Sequence, residues 1–174
     1  MNSLTGNSNL VTKIYFPREI FPFTAIAVSL VDLAIGSIVL VGLMVYYRIP
    51  PTPALIFLPV VVLINLCFTT GIGLLLAMAN LFFRDVKYLF ELVISMWMFG
   101  TAVVYPISLV GGHLAFWLKL NPMTPMVEAY RDVILRGELP QPALFASVSV
   151  VAIMTLGLGW LLFHRSEFLF AENL

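Results

Sequence analysis

The sequence predicts an all-α fold, a polytopic bundle of transmembrane helices. Three observations carry that expectation. Of 174 residues, 61% are hydrophobic and only 10% charged, whereas a soluble domain is nearer half apolar and a quarter charged. The charges gather in a few clusters between long uncharged runs. Those runs are near the ~20 apolar residues that a helix needs to cross the hydrocarbon core. Formal net charge is zero, so no bulk field recruits nucleic acid.

Four spans follow in order. Residues 23–47 hold a single charge, Asp32. Residues 54–79 hold none. Residues 89–110 have Glu91 near their start, and their apolar character runs on through "YPISLV". Residues 143–163 are again uncharged.

The connections differ in character. "RIPPTP" is a tight turn, because proline removes backbone donors and forbids continued helix. "NLFFRDVKY" concentrates Arg84, Asp85 and Lys87. Residues 111–137 are long for a loop, and part of them reads as helix. Thr124 suits an N-cap, Pro125 the first helical position and Gly137 the residue past the end. Met126, Val127, Tyr130 and Ile134 share one face. Glu128 can meet Arg131, and Asp132 can meet Arg136, at helical spacing. Twelve residues rise only ~18 Å, too little to span. With "GGHLAFWLKL" ahead of it, this region is expected to form re-entrant or interfacial helices, covered by protein or a water-filled cavity.

Ahead of the first span lies a polar, proline-interrupted stretch, "NSNLVTKIYFPREIFP". Ser8 or Asn9 can cap a short helix whose apolar stripe is Leu10, Val11, Ile14 and Tyr15. Two turns do not hold their shape alone. The helix therefore docks either on a soluble partner or on lipid headgroups.

An even number of spans places both termini on one side. Lys13, Arg18, Arg84, Lys87 and Arg165 fall there, against Arg48, Lys119, Arg131 and Arg136 opposite. That split is too even for the positive-inside rule to fix orientation.

Asp32 and Asn65 are the polar groups inside spans that invite a function. A carboxylate at that depth either lines a pathway or bonds a polar group on a neighbouring helix. Gly36, Gly42, Gly71, Gly73, Gly157 and Gly159 let helix backbones approach closely. Aromatic residues near span ends suit interfacial belts or stacking surfaces for sugar rings. No catalytic triad, metal-ligand spacing or phosphate-binding glycine loop occurs, and the lone Cys67 has no partner within the chain. An enzyme would need two polar groups at one depth, and the spans offer only Asp32. No cofactor is expected.

Four stretches together carry a resemblance. "NSLTGNSNLVTKIYFPREIFP", "NLFFRDVKY", "YPISLV" and "LNPMTPMVEAYRDVILRG", in that order and spacing, resemble the membrane subunit of ABC type 2 exporters of polysaccharide, O-antigen, polyol phosphate and teichoic acid. The resemblance implies that residues 7–16 form a cytoplasmic coupling helix, with Leu10, Val11, Lys13, Ile14 and Tyr15 contacting an ATP-binding subunit. It implies that Arg84, Asp85 and Lys87 lie in a cytoplasmic gate loop, and residues 111–137 at the outer mouth of a pore. It further implies a homodimer of the permease in the bacterial inner membrane, cytoplasmic termini, membrane lipid around it, a lipid-linked glycan as substrate and no nucleic acid. Members of the family usually carry two further spans ahead of the stretch that begins at Asn2, so the chain is expected to correspond to their last two-thirds. The rival expectations are an ABC type 2 permease for a drug or another lipid, and a non-transporting membrane fragment.

Overall fold

The computed structural model describes residues 20–82, 85–101, 103, 110, 111, 118 and 120–166. The expected coupling helix, with Leu10, Val11, Lys13, Ile14 and Tyr15, lies outside them, as does Arg84. Among the described residues there are helices and turns and no strands. The helices are α1, Ile20–Tyr46; α2, Leu58–Phe82; α3, Val86–Gly100; α4, Met123–Arg131; and α5, Pro142–Ser166. A 3-10 turn, Pro53–Phe57, leads into α2, and a π turn, Asp132–Arg136, continues α4.

Three helical stretches are long and apolar enough to cross a bilayer: Ile26–Tyr46, Pro53–Asn80 and Pro142–Arg165. They match three of the four expected spans. The helix in the remaining one begins at Val86 and stops at Gly100. Its 15 residues rise about 22 Å, short of the ~30 Å hydrocarbon core. Residues 104–109 of that expected span lie outside the described residues.

The chain divides into two compact units. The first contains residues 1–49, 67–87 and 154–174. Here α1 is apolar along most of its surface, Asp32 apart, and shows Val28, Ile38 and Val45 to the surroundings. Helices apolar all round are sheltered by protein or by lipid. Its end is reversed at Arg48, in the left-handed region at φ 55°. The Ile49 N–H donates to the Met44 carbonyl at 2.9 Å, closing the helix with a six-residue loop.

Within the same unit, α2 and α5 meet backbone to backbone. A Cβ placed on Gly71 would sit 2.6 Å from the Leu156 nitrogen, and one on Gly159 would sit 2.6 Å from the Gly71 carbonyl oxygen. Leu74 and Ala77 of α2 and Phe163 of α5 pack into a small core beside this crossing, with Met78 against it. Of the six glycines that the sequence marks for close packing, Gly71 and Gly159 make the contact. Gly36, Gly42 and Gly157 meet nothing within 4 Å.

The second unit contains residues 50–66 and 88–153. Its core joins Val61 of α2 to Ala129 of α4 and Val133 of the π turn, all essentially sealed. Leu55, Phe57, Leu58, Tyr130 and Phe145 pack around them. Gly137 ends the π turn at φ 70°, and the Glu138 N–H donates to the Asp132 carbonyl at 3.0 Å. Glycine is needed there twice over, since a Cβ would also strike the Thr52 side chain at 2.5 Å.

The α2–α5 crossing yields a direct test. Gly71→Ala gains about 1 kcal/mol of helix propensity but forces rigid backbone apart, and overpacking of that kind costs about 1–3 kcal/mol or more. We expect Gly71→Ala to lower the melting temperature of the purified chain in detergent. Gly157→Ala, on the same α5 but in open space, should leave it unchanged or slightly raised. Equal effects at the two positions would rule out the crossing as a source of stability.

Candidate functional site

Polar chemistry in the second unit concentrates where α3 ends and α4 begins. Helix ends leave backbone carbonyls without intrahelical partners. Asn121 supplies them here. Its amide Nδ2 donates to the Gly100 carbonyl at 3.0 Å and to the buried Thr101 hydroxyl at 3.0 Å. Its Oδ1 accepts from the Trp97 indole at 3.2 Å and from the Met123 backbone N–H at 3.1 Å. An amide has two donors and two acceptor positions, and here all four are used. Trp97 and Gly100 on α3 are thereby tied to the first residue of α4.

The capping group of α4 is therefore Asn121, not Thr124. The reading of Thr124 as N-cap fails because α4 starts at Met123, two residues ahead of the expected Pro125, with the helical Pro122 before it. Thr124 is fully buried, and its hydroxyl has no hydrogen-bond partner among the described residues.

One helical turn later the charges form a chain. Arg131 Nη1 donates to Glu128 Oε1 at 2.9 Å, and Arg136 Nη1 donates to Glu128 Oε2 at 3.0 Å. Arg136 also pairs with Asp132. The two pairs at spacings of three and four were legible in the sequence. The third, across eight residues, was not, because regular helical spacing does not bring such positions together; here the wide π turn lies between them. The Asp132 carboxylate, with Glu128 behind it, raises Arg136 above its already high ordinary value, so its charge is permanent. Arg131 also reaches back toward α3, where its Nη2 donates to the Val103 carbonyl at 2.7 Å, just past the helix end.

Beside this chain opens a cleft of about 280 Å³. Thr124, Glu128, Asp132 and Arg136 line it, together with Gln141 and Phe145. The Phe145 ring stands edge to face with Phe57, centroids 5.5 Å apart.

The intramembrane polar residues expected from sequence, Asp32 and Asn65, belong to different units. Asn65 lies on α2 in the second unit, where it acts on Tyr130. Burial raises the Tyr130 phenol above its ordinary value, and Asn65 partly offsets this. Asp32 is exposed midway along α1, and the described structure gives it no ion pair. Asp85 is exposed in the turn ahead of α3, and Lys87 is the second residue of α3. Among the described residues no group of three His, Cys, Asp or Glu side chains could hold a metal ion.

Residues 2–135 match the family described as ABC-2 type transporter. The chain belongs to that family, and it is a multi-pass membrane protein. It is similar to the O-antigen export system permease protein RfbA of Myxococcus xanthus, at 27% identity over 99% of this chain and 67% of the relative. It is similar also to two proteins of that name from Klebsiella pneumoniae, each at 25% identity over 99% of this chain and 66% of the relative. The chain thus spans about two thirds of the length of these relatives.

The Asn121 hub is expected to show in stability. Asn121→Ala strands the Gly100 carbonyl and the Trp97 indole, and should cost about 2 kcal/mol, within the range for unsatisfied polar groups. The neighbouring Leu120→Ala, at an exposed position, should stay within about 0.5 kcal/mol. Thermal melts of the two variants in detergent compare them; indistinguishable melts would show that the hub carries no stability.

Proposed function

We propose that this chain is the permease subunit of an ATP-driven exporter that moves lipid-linked polysaccharide, such as an O-antigen, across the bacterial inner membrane. One observation carries the reading: an ABC-2 membrane domain over residues 2–135 lies within an alignment of nearly the whole chain to permeases named for O-antigen export. The chain itself offers no constellation for hydrolysing ATP, so energy comes from a separate ATP-binding subunit.

In this reading both termini are cytoplasmic. Residues 7–16 dock on the ATP-binding subunit through Leu10, Val11, Lys13, Ile14 and Tyr15. Arg84, Asp85 and Lys87 sit in a second cytoplasmic turn at the gate. The region around α4 lies at the outer mouth. ATP binding draws the coupling helix along and shifts the population of permease states, an effect bounded by the difference in contacts between those states.

Two copies of the permease form the pore. Asp32 supports this. A carboxylate turned to lipid at mid-span costs about 2.5–3.5 kcal/mol or more. Its exposure on α1 is better met by a second protein surface or a water-filled path.

Co-purification tests the reading. The tagged chain, co-expressed with the ATP-binding subunit from its own genome, should retain that subunit through detergent extraction. Replacing both Ile14→Glu and Tyr15→Glu should cut retention at least about tenfold, the equivalent of ~1.4 kcal/mol. Undiminished retention would overturn the coupling assignment.

A further inference from the structure

The cleft beside α4 has the chemistry of a carbohydrate subsite. Its volume of about 280 Å³ is just below the roughly 300–1,000 Å³ of sites that engulf drug-sized ligands. It therefore suits a ring or two, not a long chain. Glu128 and Asp132 offer acceptors, Arg136 donors, and Gln141 both. Sugar hydroxyls need that mixture. Asp132 engages Arg136 through Oδ1, and its Oδ2 takes part in no hydrogen bond among the described residues. Phe145, held by its edge-to-face contact with Phe57, supplies an apolar face for the C–H side of a sugar ring.

Two features sharpen the choice of ligand. The lining holds two carboxylates and one guanidinium, and Arg131 pairs with Glu128 from behind, so the ion-pair chain is neutral overall and offers no surplus positive charge to phosphate or uronate. Both carboxylates are already bound to Arg136, so a divalent cation would have to break those pairs. The wall also contains the buried, partnerless hydroxyl of Thr124. Buried polar groups rarely lack partners; this one is sealed from solvent, so a ligand hydroxyl reaches it only by displacing part of the wall.

We propose that this cleft binds a single neutral sugar unit of the transported glycan, a proposal that rests on the exporter reading above.

Saturation-transfer NMR on the full-length chain in detergent tests it, with cellobiose and chitobiose as neutral probes, glucose 6-phosphate as the anionic one, and Mg²⁺ as competitor. At least one neutral disaccharide should bind saturably, and more tightly than glucose 6-phosphate. Gln141→Ala and Thr124→Val should each weaken that binding roughly three- to tenfold, the worth of one hydrogen bond, while both variants melt as the parent does. Gln141 is exposed, so its variant keeps the test open if Thr124→Val fails to fold. Absence of saturable binding, equal binding by the variants, preference for the phosphate, or displacement by Mg²⁺ would each overturn the subsite. Retention of the ATP-binding subunit separates the two readings. Retention without sugar binding sinks the subsite and leaves the exporter; sugar binding without retention does the reverse.

Discussion

A helix end must find donors for its last carbonyls, and the second unit is organised around that constraint where α3 stops. A helix of 15 residues ends before a full crossing, and its last carbonyls need donors. Asn121 provides one at Gly100, and Arg131 binds the Val103 carbonyl three residues past the helix end. The same two side chains fix α4: Asn121 caps its first residue, and Arg131 is held from behind by Glu128. The ion-pair chain is thus more than surface decoration. Exposed pairs contribute little, but here Glu128 and Asp132 are mostly covered, with side-chain exposures of 18% and 16%. They hold two guanidinium groups in place, and Arg131 in turn reaches a backbone carbonyl.

The first unit meets the bilayer differently. α1 turns apolar side chains outward along its length, and α2 and α5 cross so closely that only glycine fits at Gly71 and Gly159. Apolar side chains are not expelled from lipid, so close backbone packing by small residues is what brings such helices together. The two glycines without neighbours on α1, Gly36 and Gly42, lie on the helix that also exposes Asp32. In the exporter reading that surface is where a second copy belongs.

Much of this was legible from residue order, and the failures have physical causes. Three spans stand out because uninterrupted apolar runs leave few alternatives to a membrane-length helix. The helix end at Gly137 was marked because a left-handed position favours glycine. The pairs Glu128–Arg131 and Asp132–Arg136 follow from helical spacing. The end of α3 at Gly100 was hidden, because the apolar run continues past it and nothing local says where the helix stops. Asn121 was passed over for the same reason: its partners Trp97, Gly100 and Thr101 are more than 20 positions away or close to it, and only the fold brings them near. The cleft draws on residues from Thr124 to Phe145, and no local pattern signals that the π turn would open a wall there. Leu10, Val11, Lys13, Ile14, Tyr15 and Arg84 remain assignments by resemblance.

In the exporter reading the chain crosses the membrane between the turn at Asp85 and the polar region after α4, although α3 is short. Single cysteines at exposed positions read this out directly. With Cys67→Ser as background, Asp85→Cys and Leu139→Cys can each be challenged with a membrane-impermeant maleimide in intact cells and in inverted vesicles. Leu139→Cys should react only in intact cells and Asp85→Cys only in inverted vesicles. Reaction of both from the same side would contradict it.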